Sequence, residues 1–152
     1  MFSGKSTELF TMLGEAKIMC LATSDKNRVS ARSMSVIIYD KKLYFQTDKR
    51  FLKYSQLTEN PRAALCWSNV QLEGVCEELG HFSASSNEFF AERFKKHYKG
   101  SYEAYSHLKS EVVFELSPTL VTVWDYDEGR PFREFYDFSA QTYAKEYYDC
   151  TE

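Results

Sequence analysis

Arg32-Ser33-Met34-Ser35-Val36-Ile37-Ile38-Tyr39, then Asp40-Lys41-Lys42, then Leu43-Tyr44-Phe45-Gln46-Thr47: two runs of strand-forming residues joined by a short turn decide the fold class. β-branched and aromatic side chains suit a pleated, half-buried surface, and so short a connection permits an antiparallel hairpin but no parallel crossover. Upstream, Ala16 to Thr23 is an apolar run. Ser24-Asp25-Lys26-Asn27-Arg28 then supplies turn chemistry, with Asn27 suited to a left-handed backbone, and Val29 to Tyr39 returns as a strand. Three successive antiparallel strands are therefore predicted between Ala16 and Thr47.

Working outward, Asp48 can cap a helix from Lys49 to Glu59, with Tyr54 and Leu57 facing inward and Pro61 ending it. Lys49, Arg50 and Lys53 crowd its first turn. Cations there oppose the helix dipole by roughly 0.3–1 kcal/mol each unless an anion lies between them and the free backbone N–H groups. The cluster reads either as a solvated basic turn or, more sharply, as a phosphate site. Arg62 to Ser68 and Val70 to Leu79 supply two more strands, with Gly74 marking a bulge or a close backbone approach. Ser85-x-x-Glu88 reads as a capping box opening a helix through Phe90, Phe94 and Tyr98 to Gly100. Glu111 to Leu116 and Leu120 to Asp125 read as paired strands around Pro118. Near the start, Leu9, Phe10 and Leu13 have the spacing of a short amphipathic helix, with Ser6 or Thr7 as N-cap and Gly14 as stop. Beyond Phe138 the acidic, tyrosine-rich tail reads as a last helix or as loosely packed chain. Six or more antiparallel strands with two or three helices predict a mainly β fold, a small closed or partly closed barrel, because closure removes edges that an open sheet must protect.

With 152 residues, 43% hydrophobic and 27% charged, one domain spanning 1–152 is expected, long enough to bury roughly 68–70% of its unfolded surface. A net charge of −3 disfavours a nucleic-acid surface and leaves a local basic cluster suited to one small anion. No apolar run approaches a membrane span, so the chain is expected to be cytoplasmic. The four cysteines, Cys20, Cys66, Cys76 and Cys150, lack C-x-x-C spacing, and three lie within strand patterns, which predicts buried, reduced thiols.

Among candidate chemistries, His81, His97 and His107 have no metal-ligand spacing, and neither a sharp-turn serine nor a recognisable cysteine motif supports a nucleophile. Gly4-Lys5-Ser6-Thr7 imitates the end of a P-loop without the earlier glycine and strand that the motif requires. What remains is a polar strand edge beside an anion-binding helix start. A phosphorylated planar cofactor fits it. The phosphate would use Lys49, Arg50 and Lys53, and the ring would lie along Arg32 to Ser35 and Gln46-Thr47. Trp67 and Trp124 offer stacking surfaces, although either suits a core equally well.

Three segments carry a resemblance: Leu21-Ala22-Thr23-Ser24-Asp25, Leu43-Tyr44-Phe45-Gln46-Thr47-Asp48, and Lys53-Tyr54-Ser55-Gln56-Leu57-x-x-Asn60-Pro61-Arg62. In order and spacing the chain from Ala16 to Asp125 resembles the pyridoxamine 5'-phosphate oxidase-like superfamily of FMN-binding split barrels, in particular its short general-stress-protein-26-type members. The resemblance implies a six-stranded antiparallel Greek-key split barrel and a homodimer with two FMN sites at the subunit interface. It implies that Arg32, Ser33, Met34, Ser35 and Val36 contact the flavin edge, and that Gln46 and Thr47 lie near the ring and ribityl chain. Lys53 falls on the family's phosphate-binding lysine, Asn69 on a flavin-contacting position, and Trp124 near a tryptophan given across the dimer. The departures are Leu52 in place of a basic residue beside that lysine, Ile37 in place of a substrate-contacting lysine, and Gly129-Arg130-Pro131-Phe132-Arg133 in place of an Arg-Leu-His substrate motif. The resemblance thus implies FMN binding without pyridoxine phosphate oxidation. The leading expectation is an FMN-dependent oxidoreductase passing electrons between a reduced nicotinamide and a small acceptor. A non-enzymatic flavin-binding stress-response protein, or a split barrel holding deazaflavin or haem, stands as the alternative.

Overall fold

A computed structural model describes residues 1–149. The chain runs α1 (Phe2–Leu13), β1 (Ala16–Asp25), β2 (Arg28–Tyr39), β3 (Lys42–Asp48), α2 (Leu52–Glu59), β4 (Arg62–Trp67), β5 (Val70–Gly80), α3 (Glu88–His97), α4 (Lys99–Tyr105), β6 (Glu111–Asp127), β7 (Arg130–Asp137) and β8 (Thr142–Tyr147). The strands pair antiparallel in the order β3-β2-β1-β4-β5-β6-β7-β8, and β3 also pairs with β6. That pairing closes the first six strands into a barrel and leaves β7 and β8 as outer strands. The first three strands are consecutive hairpins, and β4 returns beside β1, which is a Greek key. The mainly β, six-stranded antiparallel barrel expected from sequence is the observed fold.

Two hairpins turn on residues with positive φ, Lys26 and Asn27 in the first, Asp40 and Lys41 in the second, the handedness that matches the twist of the flanking strands. Alternation then sorts the side chains. Leu43 and Phe45 of β3 join Leu21, Val36, Leu65, Leu72 and Leu116 inside the barrel, while Tyr44 faces outward into a second cluster with Ile37, Val113, Phe90 and Phe94. Phe90 and Phe94 of α3 are almost fully buried there, worth roughly 1.5–3 kcal/mol each. Leu9, Phe10 and Leu13 of α1 plug one end of the barrel, and Leu57 of α2 packs on the same core.

Several elements differ from the sequence reading. α2 starts at Leu52 rather than Lys49, because the Asp48 carboxylate is engaged by the Arg50 backbone N–H two residues on (2.8 Å), a local turn that competes with helix capping. α1 opens behind Met1, so Ser6 and Thr7 lie within it and donate back to the Ser3 carbonyl. Ser85 begins a short 3-10 turn, and the α3 N-cap is Asn87, whose amide instead donates to the Leu79 and His81 carbonyls. The helix predicted to reach Gly100 is two, broken at Tyr98. Glu111 to Asp127 is one long strand, not a pair. Pro118 falls opposite Gly74 at a bulge, where a proline costs no ladder bond that the regular sheet would have made. Among the described residues the tail beyond Phe138 is neither a helix nor loose chain but carries the strand β8, hairpinned on β7. Of the cysteines, Cys76 is buried, which pushes its thiol up to about 12. Cys20 and Cys66 are exposed, directly opposite one another on the outer face of β1 and β4, because their strand parity turns them away from the core. Cys150 lies outside the described residues. Among these residues no helix is long and apolar enough to cross a membrane.

Candidate functional site

β2 and β3 diverge where β2 leaves its pairing with β3, and the turn into α2 fills the gap with polar side chains. A cavity of about 400 Å³ opens there. Its floor is Ser33, Met34 and Ser35 of β2 with Gln46 and Thr47 of β3, and one end is closed by Asp48, Arg50, Phe51 and Lys53. The segment between β5 and β6 roofs it with Phe94, Ser101, Tyr105 and Leu108, and Glu111 at the start of β6 completes the wall. The roof is pinned to the floor by the buried Ser106 hydroxyl, which donates to Gln46 Oε1 at 3.0 Å.

The charged end has an uneven distribution of partners. Asp48 is 2% exposed and accepts from Arg50 Nε (2.9 Å) and Nη2 (2.7 Å), from the Arg50 backbone, and from Ser110 Oγ (2.9 Å). Arg50 above all holds this carboxyl far below the usual range, against the effect of burial. Lys53, by contrast, makes no hydrogen bond or ion pair among the described residues, and its Nζ lies 4.9 Å from the Phe51 ring centroid. Burial, and then the charge of Arg32, lower its pKa. α2 has no side-chain cap and no acidic residue in its first turn; the Tyr54 N–H donates to the Phe51 carbonyl at 3.1 Å, and the Leu52 and Lys53 N–H groups meet no side-chain acceptor. Thr47 is 3% exposed and its hydroxyl is buried without a partner. An uncompensated lysine, an open helix start and an orphaned hydroxyl in one cavity fit a polar, anionic ligand.

The structure thus brings together seven of the residues singled out from sequence: Ser33, Met34, Ser35, Gln46, Thr47, Arg50 and Lys53. Others are placed elsewhere. Arg32 turns under α2, donating to the Leu21 carbonyl (3.2 Å), Thr23 Oγ1 (2.8 Å) and Ser30 Oγ (2.6 Å), where Gln56 also bonds Thr23 and Ser30. The Val36 side chain is fully buried in the barrel core, and its carbonyl accepts from Tyr98 Oη at 2.9 Å. Lys49 lies outside the cavity, 3.9 Å from Glu78. Asn69 and Trp124 sit together in another region, the Asn69 amide donating to the Trp124 carbonyl, with the half-exposed indole under the Arg133 guanidinium at 5.0 Å. Sequence reasoning missed Glu111 and the roof residues. The only signal for Glu111 was a polar residue opening an otherwise apolar strand, Glu111-Val112-Val113-Phe114.

A model of the pyridoxamine 5'-phosphate oxidase family matches residues 6–125. No curated protein matches the chain. Among solved structures, a pyridoxamine 5'-phosphate oxidase-related, FMN-binding protein from Nostoc punctiforme superposes with TM-score 0.61 at 19% identity, covering 96% of this chain and 94% of its own. General Stress Protein 26 from Bacillus anthracis does so with TM-score 0.57 at 16% identity, covering 80% and 92%. The heme storage protein HutZ from Vibrio cholerae gives TM-score 0.66 at 11% identity, covering 82% and 96%. At these identities the likeness speaks for the barrel alone. The family match, in contrast, runs from α1 through the cavity's floor, charged end and roof to the far half of β6, and on that ground the chain belongs to the pyridoxamine 5'-phosphate oxidase family.

Proposed function

We propose that this chain binds FMN in the cavity beside Lys53 and passes electrons between a reduced nicotinamide and a small acceptor. The observation that carries this reading is Lys53, a half-buried cation without a counter-ion at an open helix start. It would hold the phosphate, while Thr47 Oγ1 and the strand edge of Ser33 to Ser35 would bond the polar parts of the ribityl chain and ring. A bound flavin would supply the two-electron redox chemistry that links a reduced nicotinamide to an acceptor. The chain's own part is to orient the ring, exclude water beneath the roof helices and leave one face accessible. Solved neighbours named as FMN-binding and as FAD-binding agree with a flavin, and the heme storage protein HutZ agrees with the haem alternative.

The reading includes a homodimer. The outer face of β2, β1, β4 and β5 carries the exposed Ile18, Cys20, Val29, Ala31, Cys66 and Val75, with Arg62, Gln71 and Glu73 among them on β4 and β5. Register places Cys20 beside Ser33 and Ile18 beside Ser35, so this face runs into the cavity floor. A second copy seated there would lie against the cavity and is the natural source of Asn69 and Trp124, which are remote from it within one chain. The absorption spectrum of the purified protein, with and without added FMN, tests the cofactor. Bleaching by NADH or NADPH separates an oxidoreductase from a flavin-binding protein without turnover, and a deazaflavin or haem spectrum would replace the FMN reading.

A further inference from the structure

Two carboxylates share one rung of the barrel at the charged end of the cavity: Asp48 of β3 and Glu111 of β6 are register partners. Their surroundings are unequal. Every donor at that rung, the three from Arg50 and the one from Ser110, is spent on Asp48. The Glu111 side chain is 5% exposed, lines the cavity, and makes no hydrogen bond or ion pair among the described residues. The charged groups around it are Asp48 on β3, Arg50 in the following turn and Lys53 on α2. The preceding segment adds Tyr105 and Leu108 to the cavity, while its His107 and Lys109 are exposed. Two neighbouring buried carboxylates do not both ionise readily, and the one without donors keeps the proton.

We propose that Glu111 enters the complex as a carboxylic acid and donates a hydrogen bond to the phosphate of the bound cofactor, so that above neutral pH each phosphate monoester brings one proton into the cavity. This rests on reading the cavity as an FMN site. The physical need is direct: Lys53 alone faces a phosphate dianion, Arg50 is already tied to Asp48, and an ionised Glu111 in the same cavity would repel the ligand. Protonated, it becomes a donor where the position beside Lys53 is Leu52. The proton balance is simple, one proton from solvent going to Glu111 as the dianion binds. Burial and the charge of Asp48 raise its pKa from 4.5 to about 7 in the free chain, against the opposing Lys53 and Arg50, so uptake becomes visible above that pH.

The test is calorimetric titration of the ligand-free protein with FMN in two buffers of different ionisation enthalpy, for the wild type and Glu111→Gln, at pH values from about 7 to 9, where the phosphate is already a dianion. The expected result is uptake approaching one proton per FMN at the upper end. Affinity should fall by up to about tenfold per pH unit in the wild type and much less steeply in Glu111→Gln. Any slope left in the variant measures Lys53. FMN binding without proton uptake, or an equal slope in both proteins, overturns the role of Glu111 and leaves the FMN site standing. No FMN binding at any pH overturns both. If Glu111→Gln does not fold, Glu111→Ala replaces it in the same titration, with the same two outcomes.

Discussion

Lys53 and Thr47 are polar groups that the free chain leaves unsatisfied, and each gives a separable prediction. Lys53→Ala should remove a charge-assisted phosphate contact worth roughly 1.5–3 kcal/mol, weakening FMN about tenfold or more, while thermal stability changes little because in the free chain the lysine makes no hydrogen bond or ion pair among the described residues and only a contact with the Phe51 ring. Fluorescence titration and thermal melting check the two halves. Thr47→Val removes a buried hydroxyl without a partner, so the free protein should melt at the same temperature or higher while FMN affinity drops by roughly 0.5–1.5 kcal/mol. Equal losses of stability and affinity would contradict a ligand-facing hydroxyl. Asp48 behaves oppositely. Its carboxyl is held below its ordinary 3.8, chiefly by Arg50, so it contributes stability above that pH and loses it as pH falls. Asp48→Asn should therefore destabilise by roughly 1–3 kcal/mol near neutrality, and the gap from wild type should narrow in melts taken below pH 3.8. Lys53 was legible in the sequence because a cation in a first helical turn demands an explanation. Glu111 was not, because its partner Asp48 lies 63 positions earlier (111 − 48) and only closure of the barrel brings them together.

Elements whose two faces meet different environments were readable, and those that break local rules with tertiary support were not. β3 is buried on both faces, Leu43 and Phe45 in the barrel and Tyr44 in the outer cluster, and its hairpin to β2 followed from residues 32 to 47. β6 was split in two because proline in a strand is normally a stop. Here the bulge at Glu73/Gly74 absorbs it, and Thr119 Oγ1 donates to the Glu73 carbonyl across the irregular rung at 3.2 Å. The glycine is required by space. A Cβ at position 74 would lie 2.5 Å from both Leu116 Cδ2 and the Ser117 carbonyl oxygen. Gly74→Ala should destabilise by roughly 1–3 kcal/mol, read by denaturant unfolding, since the backbone oxygen cannot rotate away as a side chain can. A neutral substitution would mean that β6 is more mobile at Pro118 than its register indicates. β7 and β8 escaped notice for a different reason. Phe132 and Tyr136 are buried, but the aromatics alternate with charged residues that lie over them, such as Arg130 over Tyr147 at 4.0 Å and Lys145 over Phe132 at 4.0 Å, so no clean apolar period shows in the sequence.

The whole molecule is a barrel whose interior is filled and whose cavity lies outside it, between the strands and the helical roof, beside the exposed outer face of β2, β1, β4 and β5. That arrangement makes assembly and ligand binding one question. Ala22 stands between Ala31 and Ala64 on the face, and Ala22→Arg should leave the barrel folded, give a monomer by sedimentation analysis and weaken FMN substantially, because Trp124 and Asn69 of a second copy could no longer reach the cavity. A monomeric wild type with full FMN affinity would refute the shared site. The sequence made the barrel legible through its hairpins and periodicity. Asn69 and Trp124 pair with each other in one chain and not with the cavity, so the flavin contacts expected of them from the family resemblance depend on the proposed second copy. The most direct test of the account is the visible absorption spectrum of the purified chain, titrated with FMN, with mass identification of anything released on denaturation. A perturbed flavin spectrum saturating at one FMN per chain is expected. A chain that carries no chromophore and leaves the spectrum of added FMN unchanged would contradict it.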